Sequence, residues 1–290
     1  MITAARQLKR LFLRDPAPGR TARRGAVHAS FAVRGGLSPR ADLLVGVAGV
    51  AALLAVWCAL TYGGFVGEFF LPKPTDIWQG TLDLYHRGLL VPAIWRSFVR
   101  VTKALGFVIL LGVPVGILCG TFAPVDAFLR KIINGGKSIP TSGLLGLVVL
   151  WFGATEQGKI LFLFLGAIFF MIVLVKSAVR GVNEEYVRVA LDLGAGRAQV
   201  VRYVLLPGAL PQIWDAVAVC NGIMWTYIVL VEFINANISN EENLGLGVLL
   251  RASTVSNRPA HVFSMLILIA VISSLTDFVL NVVRRRLFDW

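Results

Sequence analysis

Gly153, Gly158 and Lys159, in the stretch GATEQGKI, stand at the G-x-x-x-x-G-K spacing with which a phosphate-cradling loop holds a nucleotide. Such a loop also needs a strand before it, a helix opening at the lysine, and Ser or Thr next in line to ligate magnesium. Ile160 takes the hydroxyl position here, and the flanks LLGLVVLWF and LFLFLGAIFF read as membrane helices. Nucleotide chemistry is therefore not expected at this stretch, and no other of its kind occurs. His28, His86 and His261 are far apart, and Cys58, Cys119 and Cys220 lie inside apolar runs without metal or disulfide spacing. No catalytic or metal-ligating residue is expected.

A second set is better placed for chemistry of a different kind. Trp214, Asn221, Trp225 and Glu232 follow one another at intervals of seven, four and seven, which puts them on one face of a helix. Polar side chains at membrane depth face a bundle interior or a water-filled path. Asn221, Trp225 and Glu232 are thus the candidates for a solute pathway, with helix–helix packing as the competing role. Trp214 also suits an interfacial anchor, and Glu232 is expected close enough to the outer surface to be wet. Lys176 is expected to snorkel from its helix end, and Asp277 to meet a basic residue.

These residues need apolar elements to carry them, and the composition supplies little else. The chain has 290 residues, 57% hydrophobic and 15% charged, with a mean hydropathy of +0.75. Soluble domains hold roughly 45–50% apolar and about 25% charged residues, so this is a membrane protein. Segments 42–62, 98–122, 139–154, 160–179, 210–234 and 262–283 meet or approach the roughly 20 residues a spanning helix needs. The fold expected is all-α and polytopic, with about six transmembrane helices. Gly112, Gly116 and Gly120 give the second of these a ridge that lets another helix approach closely, and Pro114 is tolerable within it. The third is short and is expected to have an irregular inner end.

Basic residues orient the spans. The net charge of +12 is concentrated in the first forty residues, at Arg6, Lys9, Arg10, Arg14, Arg20, Arg23, Arg24, Arg34 and Arg40, against the single acid Asp15. Such a tail beside an apolar run reads as a cytoplasmic topology determinant rather than a nucleic-acid arm. With Arg130, Lys131, Lys137, Arg180, Arg188, Arg197, Arg202 and Arg284 to Arg286 on the same side, both termini are expected in the cytoplasm. Residues 1–40 are expected to be a disordered cytoplasmic tail, and 41–290 the transmembrane domain.

The longest polar interruption is residues 184–211, EEYVRVALDLGAGRAQVVRYVLLPGALP. It reads as two short interfacial helices joined at the glycine turn GAGR, the second ending at the prolines. Val187, Ala190 and Leu191 form one apolar face, and Val200, Val204 and Leu205 another. The segment resembles the cytoplasmic signature of ATP-binding-cassette importer permeases, E-A-A-x3-G-x9-I-x-L-P. The matching positions are Arg188, Val189, Ala190, Gly194, Val204, Leu206 and Pro207, with departures at Arg188 and Val189. The stretches FLPKPTDIW at 70–78, IP at 139–140, LWFGATEQGKI at 150–160 and NLGLGVLL at 243–250 are similar to the nitrate/sulfonate/taurine branch of that family.

The resemblance implies a coupling loop at about 183–207 that docks on a cytoplasmic ATP-binding subunit. It implies a second permease copy, as a homodimer, and an extracytoplasmic solute-binding protein, in a bacterial inner membrane. ATP and magnesium would sit on the partner subunit, and a small solute would cross by alternating access without bond chemistry. A secondary transporter with no ATPase partner is the alternative, but neither internal repeats nor paired midplane ionisable residues are found.

Overall fold

The computed structural model describes residues 38–234 and 243–288, all helical or in short connections. The expectations for the basic tail therefore fall almost wholly outside the described residues. The chain divides into two compact units, Met1–Leu60 and Thr61–Trp290. The first contributes most of α1, Pro39–Tyr62, an apolar helix long enough to span a bilayer.

In the second unit the chain forms α2 (Pro74–His86), α3 (Leu90–Thr121), α4 (Ala123–Ser138), α5 (Thr141–Phe152) and α6 (Glu156–Arg180). There follow α7 (Glu184–Asp192), α8 (Arg197–Val200), α9 (Leu206–Ile234), α10 (Leu246–Val255) and α11 (Pro259–Leu287). Together with α1, helices α3, α6, α9 with its lead-in from Arg197, and α11 are long and apolar enough to cross a membrane.

The central pair is α3 and α6, which form the most extensive helix contact in the chain. The glycine ridge makes it possible. A Cβ at Gly112 would stand 2.8 Å from Met171 Cγ, one at Gly116 2.6 Å from Val175 Cβ, and one at Gly120 2.7 Å from Val179 Cβ. Any larger residue would push the backbones apart. The constant offset along both helices means that α3 and α6 run parallel. Between them the chain must therefore return across the bundle.

The third apolar segment makes that return as a broken helix. At 12 residues, α5 is about 18 Å long, short of the ~30 Å hydrocarbon layer. The stretch read from sequence as a basic inner connection is the helix α4. It starts with Asp126 beside Lys176 and Arg180 and has climbed to Phe169, which covers Gly136, near its end. The break falls at Ile139–Pro140, where the proline cannot continue the ladder of hydrogen bonds. Thr141 then bonds Tyr227 of α9 at 3.1 Å. The irregular stretch expected at the inner end of this segment sits at the middle of a two-helix crossing.

Helix α9 runs antiparallel to α6, and α11 antiparallel to α9. Trp214 donates to Leu280 O at 2.8 Å, and Asn221 to Thr276 and Asp277. Helix α2 packs across the start of α11, where His261 meets Asp83 at 3.0 Å. That bond, with Arg87 beside it, holds the Asp83 carboxyl below the usual carboxylate range. The second unit thus has two ends. One carries α7, the start of α4 and the end of α11; the other carries the starts of α3, α6, α10 and α11.

Candidate functional site

At the first end Asn183 caps α7, its side chain accepting from Glu185 N at 2.9 Å. The helix closes at Gly194, which has φ +82. Gly194 N donates to Leu191 O and Ala195 N to Ala190 O, the paired bonds of a Schellman cap. A Cβ at Gly194 would touch nothing within 4 Å, so backbone conformation alone selects glycine here.

Helix α7 buries none of its residues. Val187 and Ala190 turn partly inward, as the expected face requires, but Leu191 does not. Tyr186, Val189 and Leu193 are 65%, 56% and 83% exposed, and their spacing of three and four sets them on one side. Arg188 points to solvent and pairs with Glu184 at 3.0 Å, an exposed contact worth about 0–1 kcal/mol.

The second interfacial helix does not end at the prolines. Helix α8 passes through a π-helical turn, Val201–Leu205, straight into α9, with Val204, Leu206 and Pro207 half-buried. A proline ring meets the carbonyl four residues back in a regular helix. The π-helical turn ends two residues before Pro207, with Leu206 N donating to Val201 O, so the ladder is already widened where the proline enters. From Arg197 on, the segment is therefore continuous with a spanning helix.

At the opposite end lies a buried ionic network that the sequence reading did not find. Arg100 is 1% exposed, Lys159 0% and Glu232 0%. Arg100 Nη1 donates to Glu232 Oε1 at 2.7 Å and to Leu244 O at 2.9 Å. Its Nε donates to Glu156 Oε2 at 2.7 Å, and Nη2 reaches Oε1 of the same carboxylate. Lys159 Nζ bonds Glu156 at 3.2 Å and Asn243 at 3.1 Å. Among the described residues two cations face two carboxylates, a balance that offsets the cost of burying charge.

The same network starts α10. Leu246 N donates to Ser97 Oγ at 3.0 Å and Gly247 N to Glu232 Oε2 at 2.9 Å, while Ser97 Oγ itself donates to Glu232. Two of the N–H groups that a helix start leaves open are thus satisfied by side chains from α3 and α9. The glycine pair is a requirement of that packing. A Cβ at Gly245 would fall on the Glu232 carboxylate, and one at Gly247 would lie 2.7 Å from Val229 O.

Several expectations change on this geometry. Glu232 is dry because α3 and α10 close over it. Lys159 belongs to the first turn of α6, behind the Thr155 cap, and what precedes it is the helix α5. Lys176 does not snorkel; its amine reaches the fully buried Asp126. Asp277 meets the amide of Asn221 at 2.8 Å instead of a base. Of the pathway candidates, Asn221 is 4% exposed against α11, and Trp225 is 1% exposed with an Nε1 that finds no acceptor among the described residues. The clearest missed signal was Arg100, a cation within the segment 98–122, whose apolar run length marks it as a span.

The family described as "Binding-protein-dependent transport system inner membrane component" matches residues 112–289. The taurine transport system permease protein TauC of Escherichia coli is 31% identical over 88% of this chain and 91% of its own length. A putative aliphatic sulfonates transport permease protein SsuC of Bacillus subtilis is 29% identical over 83% of this chain and 85% of its own. Among solved structures, a chain of the MetNI methionine ABC transporter in an inward-facing conformation superposes with a TM-score of 0.62 at 22% identity. It covers 70% of this chain and 98% of that one. Parallel α3 and α6, a returning broken helix and a protruding α7 ahead of α9 are carried on a sequence that the family matches over more than half its length. The chain belongs to the binding-protein-dependent inner-membrane transport components, the permease subunits of ATP-binding-cassette importers.

Proposed function

We propose that this permease carries a small sulfonate or related oxyanion, that it works as a homodimer, and that segment 183–207 receives the motion of the ATP-binding subunits. Membership of the family makes the chain a translocation subunit rather than an enzyme, with ATP-binding subunits and a solute-binding protein as partners. ATP and magnesium act on those subunits. The substrate class rests on relatives named for taurine and aliphatic sulfonates and on a bicarbonate permease of Synechococcus elongatus.

The observation that carries the coupling role is α7. A helix with no buried residue, showing Tyr186, Val189 and Leu193 to solvent, has apolar area that a partner's groove would remove from water. Its glycine cap joins it within a few residues to α8, which is continuous with α9, and so gives a displacement somewhere to go. Arg188, Val189, Ala190 and Gly194 form the docking helix and its turn; Val204, Leu206 and Pro207 lie where α8 runs into α9. The orientation that puts this end in the cytoplasm is the one the basic residues favour.

For the solute path, Asn221 and Trp225 remain the candidates on α9. A buried indole N–H without an acceptor costs about 1–3 kcal/mol, a cost offset if a passing anion or its water accepts that bond. Glu232 acts on the path at one remove, by holding the start of α10. The test is uptake by proteoliposomes containing the permease, its ATP-binding subunit and its binding protein. Taurine or an alkanesulfonate should accumulate only with ATP inside and the binding protein outside, and Trp225→Ala should slow uptake without changing complex assembly. Uptake that persists without the ATP-binding subunit would overturn the reading.

A further inference from the structure

Asp126, in the first turn of α4, is fully buried and is the meeting point of three cations. Lys176 reaches Oδ1; Arg130 Nη2 and Arg180 Nη2 both donate to Oδ2, at 2.7 and 2.9 Å. One carboxylate offsets one of the three charges. No other acid lies within ion-pair distance of these cations among the described residues, so about two positive charges remain. They remain on the outward side, because the Arg130 and Arg180 side chains are 55% and 46% exposed while Lys176 is 23%.

The geometry is unlike a scatter of surface cations. Two guanidinium groups sharing one carboxylate oxygen are held side by side, each with N–H donors to spare, since arginine carries five. Adjacent arginine forks suit the oxygens of a phosphate. The depth is also specific: the pair stands where α4 begins and α6 ends, at the boundary of apolar helices. The far side of α4 exposes Phe128 and Ile132, apolar side chains that a bilayer would remove from water.

We propose that Arg130 and Arg180, gathered by Asp126, form a binding site for the phosphate of an anionic membrane lipid. The site lies at the end of the bundle that carries α7, and Arg180 is the last residue of α6, so a bound lipid would brace the base of the coupling segment. The site rests on the membrane placement of the chain and is independent of the proposed solute and of the coupling role. The buried Asp126 acts as its scaffold, ordering both forks before the lipid arrives.

The test is native mass spectrometry of the purified chain in a neutral detergent, with phosphatidylglycerol or phosphatidylcholine added in turn. The wild type should hold phosphatidylglycerol about tenfold more tightly than phosphatidylcholine, as two surface-level arginine contacts allow. Arg130→Gln/Arg180→Gln should lose that preference, while Arg87→Gln at the opposite end should keep it. Should the double variant fail to fold, Arg130→Gln alone, the more exposed position, should already lower the preference. Inorganic phosphate at millimolar concentration separates the sources: a lipid site keeps its phosphatidylglycerol, whereas displacement would assign the pair to a soluble anion and overturn the proposal. Equal retention of both lipids would overturn it as well. So would an unchanged preference in the double variant.

Discussion

Glu232 and Arg100 are 132 positions apart in sequence and meet in an ion pair from which water is excluded on both sides. Each is buried, and each is satisfied only by the other elements around it. Removing one partner of a buried pair costs about 3–5 kcal/mol, because the survivor keeps its desolvation penalty, whereas removing both together is often close to neutral. Among the described carboxylates, Glu232→Leu leaves Glu156 to face Arg100 and Lys159; Arg100→Leu leaves Glu232 and Glu156 facing Lys159. Either should lower the melting temperature of the detergent-solubilised chain sharply. The double variant restores the balance, with Lys159 facing Glu156, and should recover at least half of the loss. If the two losses simply add, the pair is not a coupled unit. None of this was legible in the sequence. An arginine at the head of an apolar run and a glutamate at the tail of another carry no mark of each other, and the glycine pair of LGLG could be matched to relatives but not explained until Glu232 was seen beneath it.

Elements were legible where run length decides and obscure where it does not. Helices α1, α3, α6, α9 and α11 declare themselves by long apolar stretches. Helix α5 was legible only as a short apolar segment at 139–154, α10 has 10 residues, too few for that criterion, and α4 hid behind its basic residues. Pro207 and Pro211 suggest a helix end, yet the helix runs from the π turn at Val201–Leu205 through both prolines into α9. The turn at Gly194 was legible, because glycine between two amphipathic stretches has a conformational reason. That reason sets a graded prediction. The position is open but demands positive φ, which costs other residues about 1–2 kcal/mol; asparagine tolerates that region best. Gly194→Val should reorient α7 and abolish uptake while ATP turnover by the bound subunit continues. Gly194→Asn should retain most uptake. The comparison is made on uptake and ATPase rates in the same vesicles. Equal transport by the valine and asparagine variants would show that the cap does not set the docking angle of α7.

At the scale of the whole molecule, the contacts fix a relative topology that the count of apolar segments alone left uncertain. With five helices of spanning length among the described residues and a third segment only 12 residues long, simple counting gives no secure parity. The pairing of side chains does. Parallel α3 and α6 require α4 and α5 together to be one crossing. The antiparallel contacts of Asn221 with Thr276 and of Trp214 with Leu280 then return the end of α11 to the α7 side. Single cysteines introduced into a chain freed of Cys58, Cys119 and Cys220 should therefore fall into two classes with a membrane-impermeant thiol reagent. Positions 190 and 288 should label together, and positions 75, 157 and 245 should label from the opposite face. The excess of Arg188, Arg197, Arg202 and Arg284 to Arg286 on the first face predicts that it is cytoplasmic, so intact cells should label only the second class. Labelling of 157 and 190 from the same side would break the parallel arrangement of α3 and α6. Two consistent classes with the sides exchanged would instead keep the fold and reverse its orientation, which would place α7 out of reach of any cytoplasmic ATP-binding subunit.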